Sequence, residues 1–449
     1  MTHSINTQGH GEQSRTMKFL KIKKSQNIRG EIKMPTSKLH SFRALILASM
    51  ADGISIIRNP KLSGDWHEAV KAMQMFGATI EEIEPQVFKV KGVEGKLKVP
   101  NDVINVGNSG TMLFFISGVA AACQGRSVIT GDESIRTLRK VSKNLFKPFK
   151  ELGIEIISTK GDGMAPLVIK GKVNGGVAHM DGTGCQPVFS VLIASAFSKK
   201  PVEIFVRNPG EKAYIDLLLF WFKKVGLKFE NINHEHYIFP GNQLPKAFDA
   251  KIPLEWSAPG YPLLAAIITE NSEIKVKGMD LKDPYGDKQV IYILQKMGAN
   301  LTIEENCLTA RSSKLQGMEI DMNQLPDQVP TIAVAACFAK GETVIKNALT
   351  ARWKECDRIA AVCTELKKMG AKITEKEDGL IVHQDGSWKL KSAEINGYFD
   401  HRMVMAFSVA GLACNGKTII SDAQMVEKSF DSYIPEMVKA GANYELIKK

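Results

Sequence analysis

KMGANL at 296–301 and KMGAKI at 368–373 are near copies of one another, and four further segments share their grammar: MFGATI at 75–80, ELGIEI at 151–156, KVGLKF at 224–229 and KAGANY at 439–444. Each time an amphipathic helical pattern runs into an apolar residue, a glycine and then alternating apolar positions. Glycine readily takes the left-handed conformation that closes a helix before the chain reverses. The six glycines, Gly77, Gly153, Gly226, Gly298, Gly370 and Gly441, are spaced 76, 73, 72, 72 and 71 residues apart. With 37 glycines in 449 residues a single match means nothing, but six at a near-constant interval define an internal repeat.

Within each period the same order recurs. A short strand leads into a helix of small apolar residues, expected at 41–51, 111–123, 189–197, 262–269, 331–339 and 404–413. A turn and a strand follow, expected at 55–58, 127–130, 203–207, 273–276, 343–346 and 417–420. The second helix then ends at the repeat glycine, and a strand pair usually closes the unit. The chain therefore reads as six βαβαββ units. The first helices are apolar nearly all round, so they are expected inside, with sheets and second helices around them. The predicted fold class is a two-domain, inside-out α/β barrel with three units per domain. One domain is expected at 36–252 and the other at 17–35 plus 253–449, with crossings near 34–36 and 249–253. Residues 1–16 are expected to be a disordered tail, with Met17 as an alternative start.

Composition narrows the function. Hydrophobic residues make up 44% and charged residues 24%, as in ordinary globular proteins. No run of 18 apolar residues occurs, and the densest stretch, 111–122, is too short to span a bilayer. The polar N-terminus has no secretory signal, and seven unpaired-looking cysteines fit a reducing cytoplasm. No C-x-x-C occurs, and His234 and His236 alternate as in a hairpin, so no metal is expected. No dinucleotide or Walker fingerprint follows a strand, so no organic cofactor is expected either. The net charge is +11, but the cations are dispersed and aromatics are only 7%. Nucleic-acid binding, a cleft that gathers small anions and a lysine-rich solvated surface are all compatible with this, and composition alone does not decide among them. Small-molecule substrates, no nucleic-acid or membrane partner and a monomer are expected.

Several segments carry chemistry. They are MPTSKLHSFRALILASMADG at 34–53, GNSGT at 107–111, LPDQVPTIAVAACFAKG at 325–341, Arg352–Arg358, DHRM at 400–403 and VEKSF at 426–430. Each has a bland reading beside the chemical one. Lys354, Glu355 and Arg358 could form a solvated helix face, GNSGT could be an ordinary N-cap, and His401 could merely cap a turn. Their recurrence at corresponding points of the repeats favours a site. Together they resemble the enolpyruvyl transferases, specifically the 5-enolpyruvylshikimate-3-phosphate synthase branch, over about residues 17–449.

The resemblance implies a 1-carboxyvinyl transferase that moves the enolpyruvyl group of phosphoenolpyruvate to a hydroxyl and releases phosphate. It implies Asp327, Glu355, Lys38 and Lys428 as catalytic residues. Lys38, Asn108, Gly110, Arg358, Arg402 and Lys428 would hold phosphoenolpyruvate. Arg43, Gln186, Tyr214, Asp327 and Lys354 would contact the acceptor. The chain also departs from the family pattern. Leu39 follows Lys38 in place of serine, and Phe114 and Leu138 stand at arginine positions, with Arg136 and Arg139 as candidate replacements for the latter. Gly184-Cys185-Gln186 replaces Ser-Ser-Gln, and Glu211 replaces a serine beside the acceptor phosphate. The sibling enzyme that uses UDP-N-acetylglucosamine has a loop cysteine, which 131–140 lacks. Shikimate 3-phosphate is the family's acceptor. A different acceptor (a nucleotide, cyclitol or specialised-metabolite precursor) and a non-catalytic anion-binding relative stay open beside it. The cleft is expected to carry uncompensated positive charge and to stand open until ligands neutralise it.

Overall fold

The computed structural model describes residues 18–448; the proposed tail at 1–16 lies outside them. All six repeat glycines have positive φ, between +78° and +106°, each directly after a helix. The left-handed turn is therefore the joint of every unit, as their spacing implied.

The strands form six small sheets, each with a parallel pair followed by two antiparallel steps. In the second unit, Ile104–Asn105 pairs in parallel with Gly125–Thr130, which pairs antiparallel with Leu167–Gly171, and that strand with Glu155–Ser158. The parallel pair needs a crossover helix, and Gly110–Ala122 supplies it. Three sheets borrow strands from distant sequence. Asp249–Lys251 pairs in parallel with Ile54–Arg58. Arg29–Ile32 pairs in parallel with Glu273–Lys277. Lys18–Lys23 lies between Lys417–Ile420 and Tyr444–Lys448. The segments carrying the chain between the halves run side by side, through a Thr36–Leu254 bridge and hydrogen bonds from Ser37 N–H to Pro253 and from Glu255 N–H to Pro35.

The first helices form the interior, at Lys38–Met50, Gly110–Ala122, Cys185–Ala196, Gly260–Ile268, Val329–Ala336 and His401–Leu412. Each begins one to four residues earlier than the apolar pattern indicates; in the first, third and sixth, the opening turn carries polar residues that line a cavity, Lys38, Gln186 and Arg402. The most extensive contact between two of these helices joins Gly110–Ala122 and Cys185–Ala196. Phe115 stacks on Phe189 at 5.2 Å between centroids, and Ser190 donates to the Phe114 carbonyl at 2.6 Å. Gly118 permits the approach, since a Cβ there would lie 2.7 Å from the Ser190 carbonyl oxygen. Burying each large apolar side chain on these helices contributes about 1.5–3 kcal/mol. Among the described residues no helix is long and apolar enough to cross a membrane.

Candidate active site

The inner helices aim their N-terminal ends at one cavity of about 60 Å³. Lys38 and Leu39 open the first helix; Ser109, Gly110 and Thr111 open the second; Gln186 lies in the first turn of the third. Glu255 and Ser257 precede the fourth, Asp327 sits in the 3-10 turn before the fifth, and His401 and Arg402 begin the sixth. Helix N-termini present unpaired N–H groups and a positive dipole end, so their convergence makes an anion site from backbone alone. Ser37, Ser109 and Asp400 cap three of these helices with side-chain oxygens, which fixes where each begins.

Second elements add the charges. Lys354, Glu355 and Arg358 lie at the head of helix Arg358–Lys368, Lys428 ends the turn Ala423–Lys428, and Arg139 follows Glu133–Thr137. Arg358 is fully engaged. Its Nε donates to Asp400 at 2.8 Å, Nη1 to Asp327 at 2.7 Å and Nη2 to Glu355 at 2.7 Å. Arg402 lies 3.0 Å from Asp327 and 3.6 Å from Asp287. Lys428 lies 3.5 Å and Arg139 3.6 Å from Glu355, and Lys38 is 3.4 Å from Asp65. The expectation of an uncompensated positive cleft is therefore corrected: carboxylates on neighbouring elements pair with its cations. The two halves meet across the cavity, with Arg139 donating to the Trp353 carbonyl at 2.7 Å and Tyr214 to Asp287 at 2.6 Å.

These pairings set the protonation states. Burial alone would raise the Asp327 carboxyl, but Arg402, Lys354 and Arg358 outweigh it and hold it well below the usual range. Burial likewise opposes ionisation of Glu355, and Arg358, Lys428 and Arg139 override it. Asp287 goes the other way. Burial, with the Asp327 charge adding to it, outweighs Arg402 and lifts it to about 6. Burial lowers the Lys38 ammonium, countered in part by Asp65. Burial also lowers His401 far below its ordinary value, leaving a neutral imidazole whose buried Nδ1 has no hydrogen-bond partner.

The cavity brings together Lys38, Gly110, Gln186, Asp327, Lys354, Glu355, Arg358, Arg402 and Lys428. Three of the anticipated residues are placed elsewhere. Asn108 is half-buried just before the lining segment. Arg43 is buried beneath it, donating to the Leu39 and Tyr214 carbonyls at 3.0 and 3.1 Å, with its guanidinium 5.1 and 5.0 Å from the Phe115 and Phe189 centroids. Tyr214 spends its hydroxyl on Asp287. Of the two candidate replacements for arginine at 138, Arg139 faces the cavity and is 6% exposed, whereas Arg136 bonds the Gly131 carbonyl and Leu138 is 60% exposed. His401 and Glu255, which line the cavity, and Asp287 behind it were not singled out from sequence; only the DHRM segment signalled His401. His234 and His236 do lie in a hairpin, facing Asp216 and Glu203 at 2.8 and 3.0 Å. Among the described residues no three His, Cys, Asp or Glu side chains are grouped to hold a metal ion.

Comparison with known proteins bears on this arrangement. The family model described as EPSP synthase (3-phosphoshikimate 1-carboxyvinyltransferase) matches residues 22–437. The 3-phosphoshikimate 1-carboxyvinyltransferase of Acetivibrio thermocellus is 40% identical over 425 residues, covering 95% of this chain and 99% of its own. That of Methanocaldococcus jannaschii is 39% identical, covering 96% and 100%. The solved EPSP synthase of Acinetobacter baumannii superposes with a TM-score of 0.81 at 25% identity, over 96% of this chain and all of that one. A family-model match over most of the chain, relatives about 40% identical along nearly all of it and the shared two-domain α/β fold place this chain in the EPSP synthase family.

Proposed function

We propose that the chain transfers the enolpyruvyl group of phosphoenolpyruvate to shikimate 3-phosphate, yielding the 1-carboxyvinyl ether and inorganic phosphate. The observation that carries this reading is the pairing of two ionised carboxylates, Asp327 and Glu355, with the guanidinium groups of Arg358 and Arg402 in one buried cavity. Planar, permanently charged forks suit the carboxylate and phosphate of phosphoenolpyruvate, and bound substrate would take over hydrogen bonds now made to Asp327 and Glu355.

In the addition step, the acceptor hydroxyl oxygen bonds to the enol carbon and its proton passes to Asp327. The methylene carbon gains a proton from a lysine ammonium, Lys38 or Lys428, and becomes a methyl group. The product of this step is a ketal carrying the phosphate. In the elimination step, Glu355 takes one methyl proton, the C–O bond to phosphate breaks with the leaving oxygen taking the proton held by Asp327, and the vinyl ether forms. Glu355 then passes its proton to the lysine that gave one up, Lys428 lying 3.5 Å from it, so that every protein group regains its starting state. Lys354, pushed up to about 12 because Glu211 and Asp327 outweigh the effect of burial, stays an ammonium throughout. We also propose that residues 17–35 with 253–449 and residues 36–252 move as two bodies about the paired crossings, and that the enzyme is a cytoplasmic monomer.

The test is phosphate release from the purified chain. It should require phosphoenolpyruvate and shikimate 3-phosphate together. Release at the same rate without acceptor would refute the transfer.

A further inference from the structure

Glu211 is the least expected charge in the acceptor half of the site. It adopts a left-handed backbone, φ +48° and ψ +36°, at the residue before helix Lys212–Lys224. That conformation is uncommon for a residue other than glycine. Its carboxylate is 2% exposed. It accepts from the Cys185 N–H at 2.8 Å, from the Thr350 hydroxyl at 3.1 Å and from the Lys354 ammonium at 2.6 Å. Cys185 is the first residue of the twelve-residue helix Cys185–Ala196. The carboxylate thus occupies the position where that helix end, a hydroxyl and an ammonium converge, which is the position an anionic ligand would take.

Among the described side chains, the buried cations nearest this position already face other partners. Lys354 already faces Asp327 at 3.8 Å on its other side. Arg43 is spent on carbonyls, and Arg139 on the Trp353 carbonyl and Glu355. Glu211 also walls an adjoining cavity of about 230 Å³ lined largely by Phe114, Leu138, Pro187 and Trp353, with Asn144, Gln186 and Thr350 as neutral polar groups and, among the described side chains, the exposed Lys140 at its edge. A group entering beside Glu211 meets a compensated carboxylate and apolar surface.

We propose that Glu211 is a specificity-determining residue: a resident carboxylate in the acceptor's anion position that lowers the preference for a phosphorylated acceptor over its unphosphorylated counterpart. This rests on the enolpyruvyl-transfer reading above. A dianion placed there must displace Glu211 from Lys354 or lie against it, and either course weakens its binding. A neutral hydroxyl can hydrogen-bond to the same carboxylate without that penalty.

The experiment measures the affinities of shikimate 3-phosphate and shikimate by calorimetry for wild type, Glu211→Gln and Glu211→Ser, with phosphoenolpyruvate turnover recorded separately. Glu211→Gln keeps the side chain's shape and guards against loss of fold in Glu211→Ser; circular dichroism checks both. The ratio of affinities should move toward the phosphorylated acceptor by at least about tenfold in each folded variant. An unchanged ratio, a shift toward shikimate, or no measurable binding of either acceptor to any of the three proteins would overturn the proposal. Absence of acceptor-dependent phosphate release from the wild type, with the ratio shift intact, would instead count against the transfer reading alone.

Discussion

Asp327 and Glu355 sit only one arginine apart, both bonded to Arg358, and the chemistry asks them to act on different atoms. Asp327→Asn or Glu355→Gln should each lower turnover by about 10²–10⁴-fold, the usual cost of a lost acid–base group. Melting curves near wild type would confirm that the loss is chemical. Arg139→Ala should raise the KM for phosphoenolpyruvate, because it removes a cation lining the cavity, whereas Arg136→Ala should leave it within about twofold. Equal effects would contradict the placement of Arg139. Sequence could not choose between these two, since a one-residue displacement relative to Leu138 leaves both arginines plausible and only the path of the loop decides. Lys38, Lys354, Arg358 and Arg402 were legible because they lie beside helix starts that recur with the repeat. Arg43 was not, because its position on the first helix says nothing of the Phe115 and Phe189 rings that hold it. Glu211 stands in the sequence only as a replacement for serine; the ammonium that compensates it belongs to Lys354, 143 residues away.

Asp287 gives a pH dependence at the same scale. Its carboxyl lies at about 6 in the folded protein, above the ordinary 3.8. A raised acid favours the folded state at low pH, and the advantage disappears as pH rises through the folded value. Wild type should therefore lose stability, on the order of 1 kcal/mol, relative to Asp287→Asn between about pH 5 and pH 8. Asp327 and Glu355, held low, work in the opposite sense and lose their contribution only in more acidic solution. Urea melts of both proteins across that range would detect the difference; parallel curves would contradict it.

At the scale of elements, the repeat was readable because a helix-ending glycine must recur wherever the same turn recurs. Helix beginnings were less readable. Residues such as Lys38, Gln186 and Arg402 are polar, so an apolar pattern starts the helix after them. Their polarity follows from the cavity they face, which is a tertiary fact. The borrowed strands were legible in part, since a chain that splits three units plus three needs crossings. The close crossing at Gly118 was invisible, since nothing in the local pattern brings Ser190 to it. Gly118→Ala forces its Cβ to within 2.7 Å of a backbone oxygen and should destabilise the protein by about 1–3 kcal/mol. An unaltered denaturation midpoint would mean that the two helices can separate freely.

At the scale of the whole molecule, the fold gathers one end of each inner helix from both halves into a single cavity, so that neither half holds a complete site. Lys38, Gly110 and Gln186 come from one half; Asp327, Glu355, Arg358, Arg402 and Lys428 from the other. The central claim is that these groups carry out addition and then elimination on phosphoenolpyruvate. The most direct measurement is mass spectrometry of the product formed in deuterium oxide with shikimate 3-phosphate as acceptor. A transient methyl group gains a deuteron from solvent and then loses one hydrogen of three, so the vinyl ether should carry deuterium in its methylene. A carboxyvinyl product with no deuterium, or phosphate released with no carboxyvinyl product, would contradict the account.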